Sequence, residues 1–320
     1  MSSLELLLGD CVEELKKIPS NSIHSVVTDP PYNLALDKSK WDNFGTNARF
    51  SMWCREWASQ CYRVLRPGGY LISFSSSRTY HRMVCGIEDA GFDIKDCINW
   101  IYFSGVPKSL RYGKKDARLK GWSTSLKPSF EPAVLAQKQI KEKTVTEQFL
   151  KSRTGALNID ACRFAYGDDC WVGPQHDHSA QWDKPASTNF TKGSHLINSN
   201  SSLRRKVDLS SYKPVGGRWA SNIYHCKKPS RKEKNMGLRL GNGLQQNPHP
   251  TVKPLKLIKW CIRLVTAEGG TVLDPFMGSG TTALAAIMQG FKCIGVEQNE
   301  LYYEVIKQRV DWLEQRLPKN

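Results

Sequence analysis

The chain has 320 residues, of which 40% are hydrophobic, enough for one large core with an appended part. No run of about 18 apolar residues occurs, which argues against a membrane-spanning helix, and the N-terminus lacks the features of an export signal. Ten cysteines are scattered without Cys-x-x-Cys pairs, a usage typical of reduced thiols rather than a disulfide framework. We therefore expect a cytoplasmic protein.

The positive charge is concentrated in the middle of the chain. The formal net charge is +16, and residues 105–248 hold 26 lysines and arginines against 11 aspartates and glutamates. The remainder is nearly balanced, with 20 basic against 19 acidic residues. A balanced part with a basic part is typical of an enzyme core joined to a polyanion-binding region. The alternative is a basic insertion that is merely soluble.

Outside the basic region, apolar runs and helical periodicities alternate as in parallel βαβ units. The first part predicts, in order, a strand over Leu4–Gly9, a helix over Val12–Ile18, a strand over Ser25–Thr28, a helix over Phe50–Leu65, a strand over Tyr70–Phe74, a helix over Tyr80–Ala90 and a strand over Asp96–Phe103. The last part predicts a helix over Leu255–Thr266, a strand ending at Asp274, a helix over Ala283–Gln289, a strand over Cys293–Glu297 and a helix over Glu300–Leu317.

A candidate catalytic motif follows the second predicted strand. The β-branched run Ser25–Thr28 stops at Asp29 because Pro30 and Pro31 cannot continue a sheet ladder, and Tyr32 comes next. Ligands bind at the carboxyl ends of strands in open α/β sheets. The Asp29 carboxylate and the Pro30 carbonyl can accept hydrogen bonds from one amino group, and Tyr32 can stack on the ring that carries it. The alternative is an ordinary strand-ending turn.

A second motif near the C-terminus has the form of a ligand-binding turn. Its glycines let the backbone approach a ligand closely, and the following helix start offers free N–H groups. The next strand ends at Glu297, 23 residues after Asp274, near the spacing at which a carboxylate binds ribose hydroxyls in dinucleotide folds. The residues of this turn are Asp274, Pro275, Phe276, Gly278, Ser279, Gly280, Thr281 and Thr282.

Together the two motifs resemble those of the amino-group DNA methyltransferases, which methylate adenine at N6 or cytosine at N4. Asp29-Pro30-Pro31-Tyr32 resembles the catalytic motif, and the glycine-rich turn resembles the S-adenosylmethionine loop. The catalytic motif comes first, an order that resembles the beta group of the family. The resemblance covers residues 1–104 and 249–320 as a discontinuous catalytic and cofactor-binding core. Residues 105–248 match only as the target-recognition region, part of which is expected to complete the sheet edge.

The resemblance implies an α/β fold: a Rossmann-like, seven-stranded, mostly parallel sheet with one strand reversed and helices on its faces. It implies S-adenosyl-L-methionine as the cofactor, held by the glycine-rich turn and Glu297. Asp10 matches an acid that contacts the cofactor's adenine, although a helix N-cap explains it equally well. Thr251 and Lys253, within His249-Pro250-Thr251-Val252-Lys253-Pro254, match positions beside the methionine part of the cofactor.

The basic region is expected to contact DNA phosphates. The expected contacts are Lys108, Arg111, Lys114 and Lys115 in a segment rich in serine and glycine, and the triplet Arg204, Arg205 and Lys206, for which a solvated face is an equal alternative. An apolar strand over Ala133–Ala136 is predicted at the far edge of the sheet. No metal is expected, since Cys162, Cys170, His176 and His178 match no common zinc spacing and the reaction needs none.

We therefore expect an enzyme that flips a base out of double-stranded DNA and methylates its amino group. Asp29 favours adenine-N6 over cytosine-N4, because cytosine-N4 enzymes more often carry serine at this position. The lesser alternatives are an RNA or protein methyltransferase and a non-catalytic DNA-binding protein. The resemblance implies a bacterial or phage-infected cell, and it permits a homodimer and a cognate restriction endonuclease as partners.

Overall fold

The computed structural model describes residues 3–35, 40–105, 112–114, 116–165, 168, 170, 219–238 and 246–317. The chain forms two compact units, one of residues 1–158 with 222–320 and one of residues 159–221. In the smaller unit, Arg163 pairs with Asp160 at 2.8 Å, and its guanidinium lies 5.0 Å from the centre of the Trp219 ring. The larger unit contains the sheet.

Eight strands of the described chain form a single sheet in the larger unit. In chain order they are β1 (Leu4–Leu8), β2 (Ile23–Thr28), β3 (Leu65–Phe74), β4 (Asp93–Ile101), β5 (Phe130–Gln137), β6 (Ile223–His225), β7 (Thr271–Asp274) and β8 (Lys292–Glu297). Their spatial order is β1-β8-β7-β2-β3-β5-β4-β6. Every neighbouring pair is parallel except the two that involve β5.

The helices connect these strands and several of them begin at a side-chain cap. Asp10, Thr46 and Asn299 accept backbone N–H groups at the starts of α1, α2 and α8, which satisfies donors that a helix leaves unpaired. In chain order the α-helices are α1 (Cys11–Lys16), α2 (Asn47–Val64), α3 (Tyr80–Asp89), α4 (Val145–Ser152), α5 (Arg231–Lys234), α6 (Leu255–Val265), α7 (Thr281–Ile287) and α8 (Glu300–Glu314). Within the described ranges, no helix combines the length and apolarity needed to cross a membrane.

The middle of the sheet carries the core. Val26 and Val27 on β2 and Leu273 on β7 are fully buried, as expected of central parallel strands covered on both faces. The apolar residues at helical spacing in α2 also belong to the core. Phe50 and Trp57 in this helix are fully buried. These strands are therefore held rigidly where they end at the site.

The structure confirms the predicted α/β fold and its mostly parallel sheet with one reversed strand. The sheet has eight strands rather than seven, because the three-residue strand β6 pairs with β4 at the edge. The strand predicted over Ala133–Ala136 exists within β5, but its placement at the far edge was wrong. It pairs with β3 on one side and β4 on the other, and its unbroken apolar run is typical of an interior strand.

The connections leave the pair of β2 and β7 in opposite directions. From β7 the chain passes through α7 to β8, and from β2 it passes through α2 to β3, so the sheet grows outward on both sides. Such a switch point opens a crevice at the carboxyl ends of the strands, where ligands bind in open α/β sheets.

Candidate active site

A cavity of about 470 Å³ lies at this edge of the sheet. Four segments that follow strands contribute to its wall, and each was singled out by a sequence motif. Asp10 comes after β1, Asp29 after β2, Phe276 after β7, and Glu297 ends β8. Residues from both ends of the chain therefore line one space.

The glycine-rich turn is held on β8 by the Met277 N–H, which donates to the Val296 carbonyl, and by the Glu297 carboxylate. The Gly278 N–H donates to Glu297 Oε2 at 2.7 Å, and the Asn299 N–H donates to Glu297 Oε1 at 2.8 Å. Gly278 has φ +56°, and a Cβ atom there would lie 2.8 Å from His249 Nε2, so the turn requires glycine at this position. Burial raises the pKa of Glu297 to about 7, although both backbone donors favour the ionised form.

The buried carboxylate of Asp274 joins the two motifs. Thr28, the last residue of β2, donates its hydroxyl to Asp274 Oδ1 at 2.6 Å, and the Phe276 N–H donates to the same oxygen at 3.0 Å. Thr282 also hydrogen-bonds this carboxylate. Burial raises the pKa of Asp274 to about 6, while these donors oppose the rise. The side chain thus connects the strand that carries Asp29 to the glycine-rich turn.

The Asp29 carboxylate belongs to a cluster of charged and polar groups. Tyr32 donates its hydroxyl to Asp29 Oδ1 at 2.5 Å, and Lys253 Nζ donates to Asp29 Oδ2 at 2.5 Å. Lys253 Nζ also lies 3.0 Å from the Tyr32 hydroxyl oxygen and 3.2 Å from Glu131 Oε2. The Lys253 side chain is 6% exposed, so it is an almost fully buried ammonium shared by two carboxylates.

The raised pKa values of Lys253 and Tyr32 keep both groups protonated, as their hydrogen bonds require. Burial alone would lower the pKa of Lys253, but the Asp29 and Glu131 carboxylates outweigh it and the net shift is upward. Burial raises the pKa of Tyr32 well above its usual value, and the same two carboxylates raise it further. Lys253 therefore remains charged, and Tyr32 remains a donor, across the physiological range.

The backbone after the two prolines is held by a second carboxylate. Asp42, which is 1% exposed, accepts the N–H groups of Tyr32 at 2.7 Å, Asn33 at 2.8 Å and Leu34 at 3.1 Å. Thr79 donates its hydroxyl to the Tyr32 carbonyl at 2.8 Å. The orientation of Tyr32 is thus set by its own loop as well as by the cluster.

One side of the cavity is aromatic. Phe276 lies 5.4 Å from Trp53 and 5.5 Å from Trp57, measured between ring centres, and Phe44 lies 4.4 Å from Trp53. The half-buried His249 ring contacts Tyr302 edge-on at 4.8 Å between ring centres. Burial lowers the pKa of His249 to about 4, with further lowering from nearby cations, so this imidazole is neutral at pH 7.

The structure brings ten of the predicted site residues to the cavity wall, namely Asp10, Asp29, Pro30, Pro31, Tyr32, Thr251, Pro275, Phe276, Gly278 and Glu297. The other predicted cofactor-binding residues do not line the cavity. Lys253 faces Asp29 and Glu131, and Asp274 binds Thr28. Thr281 and Thr282 start α7, Gly280 precedes them with φ +82°, and the Ser279 carbonyl and hydroxyl accept hydrogen bonds from Arg309. Asp10 acts as a helix cap and also lines the cavity.

The predicted DNA contacts cannot be located in the same way. The side chain of Lys114 lies outside the described residues, as do Lys108, Arg111, Lys115, Arg204, Arg205 and Lys206. His176 and His178 also lie outside them. Within the described ranges, no group of three or more histidine, cysteine, aspartate or glutamate residues is arranged to hold a metal ion.

Sequence reasoning missed Glu131 and Asp42. Glu131 is the one charged residue in the apolar run of β5, and that exception was the available signal. Asp42 lies in a stretch without periodicity, where nothing distinguishes it from other loop carboxylates. The helical spacing of Trp53 and Trp57 predicts core packing for both, and Trp53 also lines the cavity.

The comparisons with known proteins agree with this geometry. The family model described as DNA methylase (N6_N4_Mtase) matches residues 23–308, so this chain belongs to that family and is a DNA methyltransferase. The Type II methyltransferase M.HindIII of Haemophilus influenzae is 24% identical, over 94% of this chain and 93% of the relative. The Type II methyltransferase M.HpaI of Haemophilus parainfluenzae is 27% identical, over 96% of this chain and 74% of the relative.

Solved structures share the fold. The M1.HpyAVI–SAM complex has a TM-score of 0.53 and 20% identity, covering 96% of this chain and 99% of that one. The PvuII DNA methyltransferase, which is cytosine-N4-specific, has a TM-score of 0.56 and 16% identity, covering 98% of this chain and 91% of that one.

Removing the hydrogen bond from Thr28 to Asp274 should lower the free energy of unfolding by an amount that depends on pH. The pKa of Asp274, about 6, lies above its ordinary 3.8, so the folded state binds a proton that the unfolded state releases, and stability falls as pH rises through this window. Thr28 stabilises the ionised form. Thr28→Val should therefore lower the unfolding free energy by about 1.5–3 kcal/mol near pH 8, and by less near pH 5.

Denaturant unfolding at both pH values measures this effect. Thr28→Ser is the matched control, because it keeps the hydroxyl and should show no such pH dependence. An equal cost of Thr28→Val at both pH values would contradict the role given to this bond.

Proposed function

We propose that this protein transfers a methyl group from S-adenosyl-L-methionine to the exocyclic amine of a base flipped out of double-stranded DNA, with adenine-N6 as the target. The observation that carries the proposal is the shared cavity. The Asp29 carboxylate and the proline-fixed loop line the same space as the Gly278 turn and Glu297. An amine acceptor and a nucleoside-binding turn thus face each other across one crevice.

The cavity fits this cofactor in size and in chemistry. Its volume of about 470 Å³ lies in the range usual for small-molecule sites. Glu297 accepts one backbone N–H on each carboxylate oxygen, which leaves lone pairs free for ribose hydroxyls. Phe276 offers an apolar surface and Asp10 a carboxylate for the adenine, and Thr251 lies on the wall for the methionine part. When bound, this cofactor supplies an activated methyl group on a sulfonium.

Asp29 has the capacity to accept the target amine while it keeps its present partners. A carboxylate has about four lone-pair sites, and Tyr32 and Lys253 take one on each oxygen. Hydrogen bonds from the amine to Asp29 and to the Pro30 carbonyl would localise the nitrogen lone pair, which is otherwise delocalised into the base. Alignment and fixed charges then lower the barrier, and this chain needs no covalent intermediate.

Reaching the amine requires extruding the base, which costs a few kcal/mol. Stacking on the Tyr32 ring offsets part of this cost, about 1–3 kcal/mol by analogy with other base–aromatic contacts. The hydrogen bonds from Asp42 and Thr79 hold the Tyr32 backbone before the base arrives. The site is therefore preorganised for a flat ring.

We propose adenine as the base because an aspartate, rather than a serine, begins the catalytic motif. Cytosine-N4 is the second candidate, because the chain shares its fold with the cytosine-N4-specific PvuII enzyme. Both bases offer an exocyclic amine to Asp29. Analysis of the methylated nucleoside separates the two.

Residues 105–248 supply the DNA affinity in this proposal, through the basic residues that lie outside β5 and β6. This segment holds 15 of the 16 net positive charges, and phosphate contacts give affinity that falls steeply with salt. The expected contacts remain Lys108, Arg111, Lys114, Lys115, Arg204, Arg205 and Lys206. The catalytic and cofactor-binding core comprises residues 1–104 and 249–320.

Methyl transfer should depend on the charge of Asp29. Incubating DNA with the protein and the cofactor should yield N6-methyladenine by nucleoside mass spectrometry. Asp29→Asn keeps the size but removes the charge, and should slow methyl transfer by about 10²–10³-fold with cofactor binding retained. Asp93→Asn, at an exposed carboxylate on β4, is the control. N4-methylcytosine would change the base assignment, and unchanged turnover in Asp29→Asn would remove Asp29 from the mechanism.

Cofactor binding should depend on the ionisation of Glu297. Because its pKa is about 7, the free protein carries a proton there below that pH, and binding ribose hydroxyls to the carboxylate must release it. Affinity for S-adenosylhomocysteine should fall by up to about tenfold per pH unit below this pKa. Calorimetry on Glu297→Gln is the control, because ionisation of the ligand itself affects both proteins alike. The same pH slope in both proteins would contradict the assignment.

A further inference from the structure

Glu131 enters the site from a strand that carries neither motif. It lies near the start of β5, and its carboxylate is 3.2 Å from Lys253 Nζ and 3.4 Å from the Tyr32 hydroxyl oxygen. Its side chain is 19% exposed. An acid in an otherwise apolar interior strand is costly unless its partners compensate, so its position needs an explanation beyond packing.

The charges of this cluster do not cancel. Asp29 and Glu131 each contribute a carboxylate, and among the residues that the structure describes the buried ammonium of Lys253 is the one cation that contacts both. Lys228 lies farther off, at 3.9 Å from Glu131, and its side chain is 46% exposed, so water screens it. The buried part of the cluster therefore carries a net charge of about −1.

The sign of this charge matches the reaction. As the N–CH3 bond to the target amine forms and the S–CH3 bond of the sulfonium breaks to leave a neutral thioether, positive charge develops on the nitrogen until one amine proton passes to water. If Lys253 were paired with Asp29 alone, it would neutralise the carboxylate that the amine must approach. Glu131 takes a share of Lys253 and so leaves Asp29 with more of its negative charge.

We propose that Glu131 is a positioning residue for methyl transfer, which holds Lys253 between two carboxylates and thereby keeps the acceptor site at Asp29 negative. This inference rests on the proposed function, because it concerns the amine that Asp29 would accept. Glu131 acts through Lys253 and Tyr32, and it makes no contact with the target base in this account. Its charge matters more than its size.

The test compares Glu131→Gln, which keeps the size and removes the charge, with Glu131→Asp, which keeps the charge on a shorter side chain. Single-turnover methyl transfer to DNA, equilibrium binding of S-adenosylhomocysteine and thermal unfolding are measured for each. Glu142→Gln is the matched control, because Glu142 follows β5 in sequence and its carboxylate binds Lys151 at the surface. The wild-type protein is measured in parallel.

The expected result is a single-turnover rate lowered about 10- to 100-fold in Glu131→Gln, with cofactor affinity within about twofold and a rate in Glu131→Asp closer to wild type. A wild-type rate in Glu131→Gln would overturn the inference. So would a loss of cofactor binding or of folding that matches the loss of rate. If the wild-type protein itself transfers no methyl group to DNA, the proposed function fails, and the inference fails with it.

Discussion

The parallel pairing of β2 with β7 is the contact on which the rest of this structure depends. Ser25 and Val26 lie beside Val272 and Leu273 in register, although nearly 250 residues separate them in sequence. Both strands end at the same sheet edge, and the bond from Thr28 to Asp274 ties their last residues together. This pairing places the Asp29 motif and the glycine-rich turn on the wall of one cavity. The two motifs could occur in any order along the chain and still meet, provided that these strands pair.

Burial is the second constraint, because electrostatic interactions are strongest among the few charged groups of the site that lie away from water. Asp274 and Glu297 both lie deep enough for burial to raise their pKa values, and each is stabilised by hydroxyl or backbone donors rather than by a cation. Asp29 and Glu131 instead share the ammonium of Lys253. The side of the cavity at the glycine-rich turn and Glu297 is therefore held by neutral donors, and the side at Asp29 by an ion cluster. This division suits a reaction in which positive charge moves toward Asp29.

Much of the core and of the cavity wall could be predicted from the sequence. Asp29, Gly278 and Glu297 each carry a signal that is local, such as a strand ending in prolines, a glycine turn or an acid at a fixed spacing. Glu131 carries only the weak signal of a charge in an apolar run, and its partner cannot be predicted, because Tyr32 lies 99 residues away and only the antiparallel insertion of β5 brings them together. The strand β6 was not predicted either, because its three residues are too few to show an apolar pattern.

The most direct measurement is a crystal structure of the protein with S-adenosylhomocysteine and a duplex substrate. The account predicts that the cofactor ribose lies on Glu297, and that the amino nitrogen of an extruded base lies within about 3 Å of an Asp29 oxygen. The cofactor sulfur should lie above one face of that amino group, where the nitrogen lone pair points, and not in the plane of the base. A cofactor bound away from Glu297, or an Asp29 carboxylate turned away from the base, would contradict the account.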